Sequence, residues 1–147
     1  MGGGFADPRL INKLGDAAEG IVTVSLWGPQ LPYQGALDYY NSYIKRYSET
    51  PDYHGAEAYS AVLVAADALE RATNLNPEGI RAALNDTNLE TPFGHVNFRS
   101  YERFGRQNSV PTVVLQIANS KFELVWPENI ATADLSKSEM NVAEKQN

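Results

Sequence analysis

Two histidines are the side chains in this sequence most suited to acid–base chemistry, and they lie far apart. His54 is at the start of a predicted helix and His95 is in a predicted strand; neither is near a nucleophile motif. The HExxH, GxSxG and P-loop signatures do not occur. The 147 residues include no cysteine, which excludes thiol catalysis, disulfides and thiolate metal sites. We therefore predict that the protein is not an enzyme and holds no metal or cofactor.

The segment that begins at Tyr53 offers binding chemistry instead. A helix N-terminus attracts anions through its free N–H groups and its dipole. His54 could donate a hydrogen bond to a carboxylate there, and Tyr53 could stack on a ring. The alternative is that the segment only caps the helix, with Glu57 in the first turn complementing the dipole. We predict Tyr53, His54 and Glu57 as ligand-binding residues.

Two further candidates border predicted elements. Trp27 ends a strand, and strand ends border ligand crevices in α/β sheets, although core packing is the alternative role for a tryptophan. Phe5, Ala6 and Asp7 follow three glycines, whose backbone N–H groups can approach an anion closely. The alternative is that Asp7 only caps the helix that Pro8 starts, and that Phe5 only packs on it. We predict Phe5, Ala6 and Trp27 as ligand-binding residues.

One long helical segment, residues 54–74, lies at the centre of the predicted fold. Its apolar residues recur at intervals of three and four and share one face: Tyr59, Val62, Leu63, Ala66 and Leu69. The opposite face carries mainly alanine and valine, so we predict that neighbours bury this helix on several sides. Its three acidic residues argue against a membrane span.

The remaining pattern predicts an α/β fold class with about four strands and four helices. The other helices are predicted at residues 8–14, 32–47 and 77–84, with Leu37, Tyr40, Ile44 and Tyr47 as the buried stripe of the second. The strands are predicted at residues 21–27, 95–98, 110–118 and 122–126, the last two joined by a turn at Asn119 and Ser120. Residues 85–91 are predicted to be a polar connection, and residues 136–147 a disordered polar tail.

The overall charge restricts the class of partner. The net charge is −6 and no cluster of lysine and arginine occurs, which argues against nucleic acid as a partner. The N-terminus shows no basic region followed by an apolar run, so no signal peptide is visible. If the protein is exported, we expect its leader to lie outside this chain.

An ordered series of segments resembles the type I periplasmic solute-binding proteins of ABC transporters, the branched-chain amino-acid binding type. The segments are GGGFADP, LGDAAEGIVTVSLW, the run from LDYYNSYIKRY to AADALERA, TPFGHVNF and VVLQIANSKFELVWP. Single segments are weak signals, but their order and spacing over nearly the whole chain are specific. The family is longer and has two Rossmann-like lobes, and residues 1–135 resemble only its C-terminal portion. We therefore expect a truncated chain that lacks the first lobe.

This resemblance implies a function in transport. The protein would be the extracytoplasmic solute-binding component of an ABC importer, located in the periplasm or anchored to the membrane in Gram-positive bacteria, with an ABC permease as partner of the full-length form. Its ligand would be an amino acid or a small carboxylate, including an aromatic one, because Gly4 and Phe5 stand where some relatives carry an acidic residue. In relatives the loop around Gly4 and the residues before the central helix line the ligand cleft.

Two other functions remain open at this point. The chain could be a ligand-sensing regulatory domain of the same fold, or a folded fragment without binding activity. A central helix separated from its usual sheet would expose an apolar face, so we also predict a homodimer or a swapped oligomer. A clean monomer in light scattering at high concentration would contradict that last prediction.

Overall fold

The computed structural model describes residues 6–136, which form a mixed α/β fold. The described residues contain four α-helices: α1 Arg9–Leu14, α2 Ala36–Tyr47, α3 Tyr53–Arg71 and α4 Pro77–Asn85. All four predicted helices are confirmed, with small shifts at their ends. Phe5 and the part of the predicted tail beyond Ser136 lie outside the described residues.

Local sequence signals determine the ends of these helices. Asp52 caps α3, because its Oδ1 accepts a hydrogen bond from the N–H of Gly55 at 2.9 Å. Asn76 caps α4 in the same way, with 2.8 Å between its Oδ1 and the nitrogen of Gly79. Each bond satisfies a backbone donor that the first helical turn leaves free. Gly15, with a φ of 54°, terminates α1 as predicted.

Seven strands occur in the described residues: β1 Val22–Ser25, β2 Asn88–Thr91, β3 Gly94–Asn97, β4 Arg99–Tyr101, β5 Phe104–Gln107, β6 Val113–Ala118 and β7 Lys121–Trp126. β1, β6 and β7 form an antiparallel sheet in that order, and β2–β3 and β4–β5 are separate antiparallel hairpins. The predicted turn between β6 and β7 is confirmed. Asn119 and Ser120 both have positive φ, which suits a two-residue hairpin turn.

The prediction of about four strands was too low. β2 lies within residues 85–91, which we predicted to be a polar connection, and it pairs residue for residue with β3. β4 and β5 occupy a segment for which we predicted no element. Their residues are exposed on both faces, so the sequence carries no alternation of apolar and polar positions that could mark a strand.

Two groups of buried residues form the core. The sheet cluster comprises Ala6, Leu31, Val113, Leu115 and Leu124. The helix cluster comprises Trp27, Ala56 and Phe93. Tyr33 and Tyr53 pack against both clusters and thereby join the sheet to the helices.

The buried face of α3 differs from the prediction. The buried residues recur at every fourth position: Ala56, Ser60, Val64 and Ala68. We predicted burial on several sides, but on the face with the larger apolar residues Tyr59, Val62 and Leu69 are 48%, 67% and 48% exposed. The small residues of the buried face allow close packing, and α4 and β2 make the main contacts of α3 within the described residues. The larger apolar face is therefore left at the surface.

The predicted buried stripe of α2 was wrong for three of its four residues, whereas the fourth, Tyr40, is partly buried and packs against the helix cluster. Leu37, Ile44 and Tyr47 are exposed, whereas Ala36 at the first turn is buried. Aromatic contacts run along the helix from Tyr39 to Tyr43 to Tyr47, with ring centroids 5.9 Å and 4.7 Å apart. In the part of the chain described, no helix has the length and apolar character that crossing a membrane requires.

Candidate functional site

A groove of about 850 Å³ lies between the sheet and the helices. Its walls come from the start of α1, the segment after β1, the inner side of α2, the loop before α3 and the β6–β7 hairpin. Aromatic and charged groups both line it: Trp27, Tyr40, Tyr43, Tyr53 and Phe122, with Asp7, Arg9, Glu49, Asp52, Lys121 and Glu123. A concave surface with aromatic walls and a few polar groups is typical of small-molecule sites.

Trp27 lines this groove and is also part of the core. It is only 4% exposed and packs with Ala56 and Phe93. Its indole Nε1–H donates to the carbonyl oxygen of Pro92 at 2.8 Å, and its ring meets the edge of Tyr39 at 5.8 Å between centroids. Trp27 therefore borders a crevice, as predicted, and it also packs in the core, which was the alternative.

The start of α3 places Tyr53 on the groove wall. Tyr53 is half-buried, and its ring stacks on the imidazole of His54 with 3.9 Å between centroids. His54 is exposed, and its Nδ1 lies 3.5 Å from Oδ2 of Asp52, the residue that caps the helix. His54 and Glu57 do not line the groove, and Glu57 is exposed one turn further along. Their predicted contacts with a ligand stay predictions.

The residues just before α1 form the opposite wall of the groove. Ala6 is buried in the sheet cluster and also lines the groove. Asp7 accepts a hydrogen bond at 2.9 Å from the backbone N–H of Arg9, the first residue of α1, although the N-cap position itself is Pro8. The Arg9 guanidinium also donates to both carboxylate oxygens of Asp7 and holds the pKa of that carboxyl below its usual value. The charge of Asp7 is thus balanced locally.

Several groove residues were missed by sequence reasoning. Tyr40 was predicted to be in the buried stripe of α2, and neither Tyr40 nor Tyr43 was predicted to contact a ligand. Lys121 and Phe122 start the returning strand of the hairpin, and Gln30 donates from Nε2 to the carbonyl oxygen of Phe122 at 2.8 Å. The density of tyrosine in residues 39–47 is the one sequence signal that could have indicated an aromatic wall.

The two histidines are not brought together. His95 lies in β3, where its Nδ1 is 2.7 Å from Oε1 of Glu90 on the paired strand. His54 lies at the start of α3, a separate element. Among the described residues, no group of three or more histidine, aspartate and glutamate side chains is placed to hold a metal ion.

Comparison with known proteins finds one matching family and several solved structures of similar fold. The family described as "Periplasmic binding protein" matches residues 1–122. The leucine-binding protein LivK of Thermotoga maritima MSB8 superposes with a TM-score of 0.64 at 27% identity, over 82% of this chain and 34% of that one. A putative branched-chain amino-acid ABC transporter structure from Silicibacter pomeroyi gives 0.69 at 18% identity, over 89% of this chain and 38% of that one.

A third solved structure extends the range of ligands found with this fold. It is a solute-binding protein of an ABC transporter from R. palustris in complex with benzoate, with a TM-score of 0.62 at 16% identity, over 78% of this chain and 31% of that one. The chain thus spans about a third of the length of the proteins it resembles. The family match covers most of the chain, and the structural matches share its mixed α/β fold. The chain belongs to the periplasmic binding protein family.

Proposed function

We propose that this chain is part of the extracytoplasmic solute-binding component of an ABC importer, and that the groove contributes to its ligand site. The ligand is an amino acid or a small carboxylate, including an aromatic one. The observation that carries the proposal is the groove itself, which brings Ala6, Trp27 and Tyr53 from three separate elements onto one concave surface.

The chemistry of the groove supports such a ligand. Tyr43, Tyr53 and the other aromatic residues offer an apolar surface for a hydrophobic side chain or a ring. Lys121 lines the groove and makes no ion pair among residues 6–136, so its ammonium group is available for a ligand carboxylate. Besides Asp7, whose charge Arg9 balances, Glu49, Asp52 and Glu123 line the same groove, which favours a ligand that also carries an ammonium group.

The proposed mechanism of the whole protein involves parts beyond residues 6–136. The matched part of this chain covers 34% and 38% of two relatives, and we expect the rest of such a protein to close over the groove. Hinge closure of two lobes over the ligand would then present a closed form to an ABC permease outside the cytoplasm. LivK and the benzoate complex set the two ligand types to test: a branched amino acid and an aromatic acid.

Two tyrosines on α2 provide a matched test of the groove. Tyr43 lines it, whereas Tyr47 lies one turn further along, is 55% exposed and does not line it. We expect Tyr43→Ala to weaken leucine binding by about tenfold or more, because burying an aromatic side chain against an apolar group contributes about 1.5–3 kcal/mol. Isothermal titration calorimetry measures this, with Tyr47→Ala as the control and circular dichroism confirming the fold of both variants.

Two outcomes would contradict the proposal. If neither leucine nor benzoate binds to the folded chain at millimolar concentration, the alternative of a folded fragment without binding activity is favoured. If leucine binds and the two tyrosine variants weaken binding equally, the ligand does not lie in the groove. The alternative of a sensor domain shares the same site and would be identified by a binding partner other than a permease.

The self-association predicted from the central helix remains a proposal of the same kind. Val62 at 67% exposure, together with Leu69 and with Tyr59, whose ring lies 5.1 Å from that of Tyr39, forms an exposed apolar surface on α3. Faces of this kind mark contacts with another chain or with further parts of the same protein. Light scattering over a concentration series measures whether two copies associate.

A further inference from the structure

A second pocket lies away from the groove, on the side of the molecule formed by the two hairpins. It has a volume of about 310 Å³. Its residues come from β3, β4, the turn before β3, the segment before β6 and the loop before α2, and none of them lines the groove. The volume is at the lower end of the range for small-molecule sites, which suits a ligand with a single ring.

One part of this pocket is aromatic and apolar. Tyr33, Phe93 and Tyr101 contribute rings and Val110 an aliphatic side chain. Gly94 shapes the inner wall: it has a φ of 107°, and a Cβ at this position would lie 3.4 Å from the ring of Tyr33. Glycine therefore gives the pocket both its backbone turn and its close contact with that ring.

The other part is a set of hydrogen-bond donors around one cation. Arg99 lines the pocket, and its Nε donates to Oδ1 of Asn97 at 2.9 Å. Within residues 6–136 no carboxylate lies within 4.0 Å of Arg99, although the chain carries a net charge of −6. The two terminal nitrogens of this guanidinium are thus free to form a two-bond contact with a carboxylate.

Asn108 adds a neutral donor beside Arg99. Its Oδ1 accepts from the backbone N–H of Asn97 at 3.1 Å, so its Nδ2 is the atom left to donate. His95, also in the pocket wall, is bound through Nδ1 to Glu90, whose carboxylate does not line the pocket. The lining therefore contains cationic and neutral donors and no acidic side chain, in contrast to the groove with its four carboxylates.

We propose that this pocket is a second binding site, separate from the groove, for a small aromatic carboxylate whose carboxyl group binds Arg99 and whose ring lies among Tyr33, Phe93 and Tyr101. The assignment does not depend on the proposed function of the groove, because the two sites share no residue. The two sites lie next to each other, because the indole N–H of Trp27 in the groove donates to the carbonyl oxygen of Pro92, the residue before Phe93.

Benzoate is the probe for this site, and side-chain amide signals in NMR report which site it occupies. We expect benzoate to shift the Asn97 and Asn108 side-chain amide resonances, and Arg99→Gln to weaken that binding by about tenfold or more, since charge-assisted hydrogen bonds are lost. Arg103→Gln is the matched control, because Arg103 is exposed in the turn after β4 and does not line the pocket. Tyr43→Ala in the groove should leave these shifts unchanged.

Several results would overturn the assignment. The assignment is wrong if the two asparagine amides do not respond to benzoate up to about 10 mM in the folded protein. It is also wrong if Arg99→Gln and Arg103→Gln weaken binding equally. If Tyr43→Ala abolishes the shifts, benzoate acts from the groove and the second site does not exist. If inorganic phosphate binds as tightly as benzoate, the aromatic walls take no part and the ligand class is wrong.

Discussion

Trp27 offers the sharpest test of how the groove is built, because the chain contains a second tryptophan in the opposite environment. Trp27 is 4% exposed and bonded to the carbonyl oxygen of Pro92, whereas Trp126 at the end of β7 is 51% exposed. Replacing each by phenylalanine is the same chemical change at a buried and at an exposed position. Any difference between the two variants therefore reports the environment and not the substitution.

The expected magnitude follows from the contacts of Trp27. Phenylalanine cannot donate to Pro92, and a buried carbonyl left without its partner costs about 1–3 kcal/mol. The smaller ring also leaves unfilled volume between Ala56 and Phe93, which adds roughly 1–2 kcal/mol. We expect Trp27→Phe to lower the free energy of unfolding by about 2–4 kcal/mol, and Trp126→Phe to change it by less than about 0.5 kcal/mol.

Urea denaturation followed by far-ultraviolet circular dichroism is the suitable measurement, because both variants lose a fluorophore. A difference of 2–4 kcal/mol is a large part of the roughly 5–15 kcal/mol that stabilises a typical domain. It would lower the urea midpoint of Trp27→Phe by about 1–2 M if the slope is unchanged. Equal midpoints for the two variants would refute the reasoning that the burial of Trp27 and its hydrogen bond to Pro92 stabilise the fold.

Two further predictions concern the helices beside the groove. Burial, followed by the proximity of Tyr43, raises the pKa of Tyr39 to about 12. In an absorbance titration at 295 nm, Tyr39→Phe should therefore remove the ionisation of one tyrosine from the most alkaline part of the curve. Because this folded-state pKa lies above the unfolded value near 10, stability should be intact below pH 10 and fall between pH 10 and 12; a titration curve unchanged apart from its total amplitude would contradict this. Asn76→Ala should lower the free energy of unfolding by about 1 kcal/mol because it removes the cap of α4. Thermal denaturation measures this, and Asn41→Ala on the exposed side of α2 should not be destabilising.

Local signals in the sequence predicted all four helices and four of the seven strands of the described residues. Asn76 and Asp52 use short-range hydrogen bonds to start their helices, and these bonds depend only on residues within three positions. The β6–β7 hairpin is specified in the same way by its two-residue turn between apolar strands. The family resemblance also rested on such ordered local segments, and the match over residues 1–122 confirms it.

The strands β4 and β5 show where local signals are insufficient. Their exposed residues gave no periodicity, so nothing in residues 99–107 distinguished a hairpin from a loop. The second pocket was equally invisible, because Arg99 and Asn108 approach each other only when β3, β4 and the segment before β6 are placed side by side.

The sequence by itself indicated the four helices and four of the strands, the net negative charge of the chain and its family. The tertiary structure decided which faces are buried. Ser60 and Val64 of α3 are buried, whereas Val62 between them is exposed, because burial depends on the elements that pack against the helix and not on the apolar character of its residues. The tertiary structure also decided which side chains meet, since the groove joins residues as distant in sequence as Ala6 and Lys121, and no local spacing encodes such a contact.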